Sequence, residues 1–234
     1  MEDKFITKTL SPEYGGAFKV THLKVESSVR CVLFAAGLGG DPLRHKGLLR
    51  CFAAHGMSIV APHFEMLSSS IPTKAELLER SRRLALAMHA HCTPGTFVAG
   101  VGHSIGTVIL LMQAGGEIST SEGDRITFNE ERILDRLVLL APPTDFFRRP
   151  GSLMFVNIPI QIWVGGRDTV TPPSQSEFLK EAISEQTKID LHIIDNAGHF
   201  TFMNELPPNV VDTHPNRNDF ISYLGDEASR FLLT

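Results

Sequence analysis

The chain has 234 residues, of which 42% are hydrophobic and 21% charged, and its formal net charge is −4. That length suits one domain, 1–234, on a single core, and the mildly acidic balance offers no basic face for nucleic acid or an anionic membrane surface. No apolar run reaches the about 18 residues of a membrane span, and MEDKFITKTL lacks the basic-then-apolar pattern of a leader, so a cytoplasmic protein is expected. Cys31, Cys51 and Cys92 are an odd count without regular spacing. Reduced, buried thiols are the expectation rather than a disulfide framework.

In chain order, weak strand signals at about 5–9 and 17–25 come first. Residues 29–36 (VRCVLFAA) then form a continuous apolar run, the mark of a strand covered on both faces. A helix follows over 42–55, stopped at Gly56. Another strand is predicted over 57–62. A long amphipathic helix covers 73–91, with Thr73 as N-cap and Glu76 as its capping-box partner. A strand at 96–101 and a helix at 105–114 come next. The polar segment 115–131 follows that helix, so it is expected at the far edge of the sheet as a solvated loop. Strands at 134–141, 159–164 and 189–194, a helix at 173–185 and a closing helix at 216–233 complete the chain. Strand–helix alternation of this kind means a parallel α/β sheet with right-handed crossovers. Ligands of such sheets bind beyond the carboxyl ends of the strands, so the residues just after each strand carry the functional reading.

After the strand 96–101 stands Gly102-His103-Ser104-Ile105-Gly106, a G-x-S-x-G pentapeptide running directly into a helix. A sharp strand-to-helix turn holds such a serine in strained geometry with its hydroxyl exposed, and the glycines let the turn close. The pentapeptide alone is a weak signal; its setting between strand and helix strengthens it. A serine hydroxyl needs a base to take its proton. Among ten histidines, His199 is chosen by position, a few residues past the last strand in Asp195-Asn196-Ala197-Gly198-His199-Phe200. His192 lies within that strand, and His214 is an outside candidate. His89 and His91, with Cys92, end a helix at the opposite edge, where no second ligand pair completes a metal site. For the acid, Asp168 in Gly165-Gly166-Arg167-Asp168 follows a strand directly, ahead of the alternatives Asp145 and Asp195. It would orient the imidazole and stabilise its protonated form.

The tetrahedral intermediate of acyl transfer needs two N–H donors. Ile105, after the nucleophile, is one. Leu38, in Gly37-Leu38-Gly39-Gly40, is the choice for the other. Pro42 stands where a third glycine of a dinucleotide loop would fall, so no nucleotide site is expected, and no cofactor or metal is expected.

Four segments, AAGLGGDP, GVGHSIG, GGRDTVTPP and NAGHFTF, together resemble the α/β-hydrolase superfamily. More narrowly they are similar to dienelactone-hydrolase-like and platelet-activating-factor-acetylhydrolase-like serine esterases, over about residues 29 to 234. The resemblance implies a mostly parallel sheet of about eight strands with helices on both faces and little cap. It implies Ser104, Asp168 and His199 as the catalytic set and Leu38 and Ile105 as oxyanion donors. The chain departs from that pattern at Ala36, where such enzymes often carry histidine, and at Thr107, where many carry glycine. Dienelactone hydrolases themselves use a cysteine nucleophile, and this chain has Ser104.

The link between the strands 134–141 and 159–164 is short, so an open site is expected. Leu38, His63, Phe64, His103, Phe146, Phe147, Phe200 and Met203 are expected to line it, with Glu65 near the same edge. The expected substrate is a small or medium ester, thioester or lactone. A protein that kept the fold for binding and lost turnover is the rival reading, favoured only by Ala36. Oligomeric state is not legible.

Overall fold

Apolar runs without polar alternation need cover on both faces, and the order of elements provides it. A computed structural model describes residues 4–120, 123–128 and 134–234. In chain order the elements are β1 (Ile6–Leu10), β2 (Phe18–Leu23), β3 (Arg30–Ala35), α1 (Lys46–Ala54), β4 (Ser58–Pro62), α2 (Lys74–His91), β5 (Phe97–His103) and α3 (Ile105–Gln113). Then come β6 (Ile118–Ser119), β7 (Arg125–Ile126), β8 (Arg136–Leu140), β9 (Ile160–Gly165), α4 (Pro173–Ile183), β10 (Ile189–Ile194) and α5 (Arg217–Leu233). Eight strands form one sheet in the order β1-β2-β4-β3-β5-β8-β9-β10, while β6 and β7 pair as a separate ribbon. The β1–β2 and β2–β4 pairs are antiparallel and the remaining pairs of the large sheet are parallel.

The chain steps from β3 to β4 in one direction, and then from β4 through β5, β8, β9 and β10 in the other. Right-handed crossovers therefore put α1 on one face and α2, α3 and α4 on the other. In agreement, α1 packs on α5 and α2 on α3. Val32, Leu33 and Phe34 of β3, Val101 of β5, Leu137–Leu140 of β8 and Trp163 of β9 are all fully buried between these layers. α3 is buried on every side, as an apolar helix wedged between sheet and neighbours must be. The capping box at α2 forms as its sequence predicts: the Thr73 hydroxyl accepts from Glu76 N, and the Glu76 carboxylate accepts from Thr73 N at 2.8 Å.

Two expectations are corrected here. Cys31, near the start of β3, and Cys92, at the C-cap of α2, converge at one edge of the sheet and are joined as a disulfide, leaving Cys51 free. They stand 61 positions apart in sequence, so spacing carried no sign of their meeting. The segment 115–131 also departs from its predicted place; its residues 121–122 and 129–131 lie outside the described residues. α3 is only nine residues long, and the chain turns back at once at Gly115, whose φ is +108°. Ile118 and Ile126 need burial, and both are buried. Glu117 N donates to Ser152 O at 2.7 Å, tying the ribbon to the β8–β9 link.

Candidate active site

The direction of strand order reverses at β3 and β5, and the loops leaving these adjacent strands diverge to opposite faces. A crevice must open between them. The loop after β5 carries Ser104 and the loop after β3 carries Gly37 to Gly40.

Ser104 has φ 54° and ψ −129°, a conformation strained for any residue with a Cβ. Its surroundings hold it there. Ser104 N donates to Leu140 O at 2.9 Å, and Ser104 O accepts from Thr107 N at 2.8 Å and Thr107 Oγ1 at 2.7 Å. A Cβ on Gly106 would lie 2.0 Å from Ala35 O, so only glycine lets α3 dock this closely on β3.

The three predicted side chains meet. His199 Nε2 is 3.0 Å from Ser104 Oγ, and His199 Nδ1 is 2.8 Å from Asp168 Oδ2. All three residues are buried. Asp168 Oδ1 accepts from Val170 N and Thr171 N, both at 2.8 Å, and Oδ2 accepts from Thr171 Oγ1 at 2.8 Å. Burial opposes the charge of Asp168, but the hydrogen bond and charge of His199 and the donors of Thr171 outweigh it. The carboxyl is held below its ordinary 3.8. Asp168 is thus ionised at neutral pH and fixes the Nδ1–H tautomer of His199, leaving Nε2 to accept from the serine. Asp145 instead pairs with Arg148 at 3.1 Å, and Asp195 is exposed on the turn after β10.

His103 supports the same loop, because its Nε2 is 2.9 Å from His199 O, and a carbonyl can only accept. Burial first, then the His199 and His45 rings, push its pKa well below the ordinary value, so it is neutral. His45 lies 5.1 Å from the His103 ring centre and donates through Nδ1 to Phe202 O at 3.1 Å. Burial lowers it to about 4.

Ile105 is the first residue of α3, so its N–H has no partner within the helix. Gly37 packs against the elbow: a Cβ there would come within 3.2 Å of Ser104 Cβ. Leu38 N–H makes no hydrogen bond among the described residues. The carbonyl side of the same loop is held by Arg80 of α2. Its guanidinium donates to Gly37 O at 2.8 Å, Leu38 O at 2.9 Å and Glu65 O at 2.6 Å. Burial lowers Arg80 to about 10, which leaves it charged at neutral pH.

These groups open on a cavity of about 830 Å³. Of the residues expected there, Leu38, His103, Phe146, Phe200 and Met203 stand at its wall, together with Ile105. His63 and Phe64 do not. His63 follows β4, a strand two places from β5, and turns to Thr21 Oγ1, 2.8 Å from its Nε2. Phe64 lies beneath the glycine loop, with its ring 5.0 Å from the Arg80 guanidinium carbon, and donates its N–H to Gly40 O at 3.0 Å. Phe147 is core. Glu65 is exposed and pairs with Arg83 at 3.5 Å.

Sequence reading missed several contributors. Ser119 and Thr120, from the ribbon expected at the far edge, form part of the wall, and Met66 and Ile71 from the loop after β4 stand at it. Lys74 of α2 and Asp124 of the ribbon are 3.9 Å apart, which fixes the ribbon on this side. The β8–β9 link supplies only a short 3₁₀ turn, Asp145–Phe147, as its cover. Thr171 was legible as the fourth residue of an Asp-initiated turn. Arg80 stands in the sequence as a charge on the buried stripe of Leu77, Ser81 and Leu84, with no sign of which carbonyls it meets. Among the described residues, no group of three His, Cys, Asp or Glu side chains is placed to hold a metal, and no helix is long and apolar enough to cross a membrane.

No protein-family model matches the chain, and no curated protein matches it. Solved structures do. A dienelactone hydrolase from Anabaena variabilis is 17% identical, with a TM-score of 0.67 over 98% of this chain and 97% of that one. Esterase 2 of Thermogutta terrifontis with butyrate bound is 14% identical, with a TM-score of 0.70 over 97% and 94%. An esterase from Pyrococcus furiosus is 11% identical, with a TM-score of 0.68 over 98% and 90%. At such identities the likeness is one of fold, and the chain has the α/β-hydrolase fold.

Proposed function

We propose that this chain is a serine esterase that cleaves small or medium carboxylic esters, thioesters or lactones through an acyl–Ser104 intermediate. The observation that carries this reading is the continuous relay from Ser104 Oγ through His199 to Asp168, at 3.0 and 2.8 Å, opening on the cavity. Few structural roles need a strained, buried serine in hydrogen-bond contact with an imidazole that is itself held by a carboxylate.

In the first half-reaction Ser104 Oγ bonds to the substrate carbonyl carbon while its proton passes to His199 Nε2. The carbonyl oxygen takes the electron pair and meets the N–H groups of Leu38 and Ile105. Collapse of that intermediate breaks the bond to the leaving group, which takes the proton from His199. Water, activated by the same imidazole, then releases the acid and restores the serine. The Asp168 carboxylate stabilises the imidazolium at both stages. The apolar wall of Leu38, Phe146, Phe200 and Met203 suits an acyl or alkyl group. The Thermogutta esterase recorded with butyrate and as phosphoramylated by tabun offers precedent, within this fold, for a short acyl group and for an organophosphorus adduct.

A fluorophosphonate probe tests the reading. It should label the wild-type chain and not Ser104→Ala, and p-nitrophenyl esters of rising chain length should be hydrolysed by the former alone. Folded wild-type protein that neither labels nor turns over any ester rejects it.

A further inference from the structure

A loop written Gly37-Leu38-Gly39-Gly40 has little conformational preference of its own, because glycine samples backbone space freely. Yet an oxyanion donor is effective only when it is aimed before the substrate arrives. Something outside the loop must set its peptide planes, and Arg80 is positioned to do so. In a trans peptide the N–H of one residue points opposite to the C=O of the residue before it. The bond from Arg80 to Gly37 O, at 2.8 Å, therefore fixes the direction of the Leu38 N–H. That N–H is turned away from the guanidinium, on a loop whose opposite side lines the cavity beside Ser104. The contact to Leu38 O, at 2.9 Å, fixes the next plane, and the contact to Glu65 O, at 2.6 Å, anchors the guanidinium against the loop after β4. Two further bonds hold the same frame: Gly40 N to Gly37 O at 3.0 Å, and Leu67 N to Leu38 O at 3.0 Å. Burial of Arg80 keeps water from competing for these carbonyls.

We infer that Arg80 is the positioning residue of the oxyanion hole, holding the Gly37–Leu38 peptide so that the Leu38 N–H faces the carbonyl oxygen of a substrate at Ser104. This inference rests on the esterase reading above. Arg80 does not touch substrate; it acts through the backbone. Lysine cannot replace it in full, since one ammonium lacks the planar fork that reaches three carbonyls at once.

The test compares wild type with Arg80→Lys and Arg80→Met on a p-nitrophenyl ester. Arg80→Met should lower kcat by about 10²- to 10³-fold, the range for loss of one oxyanion donor. KM should stay within about threefold, because the ground-state ester does not need the donor. The inhibition constant of an alkyl boronic acid, which forms a tetrahedral adduct on Ser104, should rise by the same factor as kcat/KM falls. Arg80→Lys should fall between the two. Methylguanidinium added to Arg80→Ala should restore part of kcat, which a general loss of packing would not allow. A folded Arg80→Met with kcat within about threefold of wild type, or one that loses KM alone, overturns the inference. One arm needs no variant: in a wild-type structure with the boronate bound, Leu38 N must lie within hydrogen-bond distance of a boronate oxygen while Gly37 O stays on Arg80. A Leu38 N–H pointing elsewhere overturns it. Wild-type protein without any esterase activity removes the esterase reading and this inference together, whereas active wild type with unaffected Arg80 variants removes this inference alone.

Discussion

The proposed relay ends on a carboxylate whose four bonds are unequal in kind. Two come from backbone, fixed by the turn; one comes from His199; and one comes from the Thr171 hydroxyl, at 2.8 Å. Only the hydroxyl can be removed without disturbing the turn or the base. Thr171 Oγ1 also stands 3.1 Å from His199 Nδ1, so it fills the space beside the Asp168–His199 contact. Thr171→Val keeps that volume and loses the charge-assisted bond. It should cut kcat by about tenfold with KM unchanged, whereas Asp168→Asn, which inverts the tautomer, should cost about 10⁴. Steady-state kinetics separate the cases; equal rates for Thr171→Val and wild type would reduce Thr171 to a turn former. At this scale Ser104, Asp168 and His199 were legible because each stands just past a strand, where the fold puts its chemistry. Arg80 and His45 were not, because their meaning depends on which loop carbonyl each one meets, and sequence spacing does not encode that.

Elements were legible where periodicity was strong: the apolar strands, and α2 with its capping box. The ribbon was not. Its signal is two isolated isoleucines, Ile118 and Ile126, in a polar stretch, and its destination depends on a single turn at Gly115. The glycine loop after β3 shows how element packing decides what one position tolerates. Gly40 has φ +74°, and a Cβ there would lie 2.1 Å from Phe64 O. Gly39, its neighbour, meets nothing within 4 Å and has no positive φ. Gly40→Ala should therefore cost at least about 2 kcal/mol, from left-handed strain plus a backbone clash that cannot yield. Gly39→Ala should be neutral within about 1 kcal/mol. Urea unfolding of the two variants checks this; equal costs would mean that the loop after β4 moves freely and is no support for the oxyanion loop.

For the molecule as a whole, the fold confines three imidazoles in a row, with ring centres of His45, His103 and His199 spaced 5.1 and 5.0 Å apart. His45 lies between Phe34, His103 and the Phe202 carbonyl. Burial lowers its pKa to about 4, with Arg44 adding to the shift, while the Phe202 carbonyl and Asp41 act against it. His103 is lowered too, chiefly by burial. In the unfolded chain both titrate near the ordinary 6.5. Above that pH neither state binds a proton, and the histidines leave stability unchanged. Below it the unfolded chain takes up protons that the folded chain refuses, so stability falls as pH drops from 6.5 towards 4. Each fully excluded proton contributes a slope of about 1.4 kcal/mol per pH unit. Asp168 acts in a lower window. Its folded pKa is depressed, so its contribution is complete above 3.8 and is lost only below that value. Urea unfolding at pH 7, 6 and 5 should thus give a steep decline before Asp168 is protonated. His45→Asn, whose amide can still donate to Phe202 O, should make that decline shallower by about one proton's slope. A variant with the wild-type slope would mean that His45 takes up its proton as readily in the folded protein as in the unfolded chain.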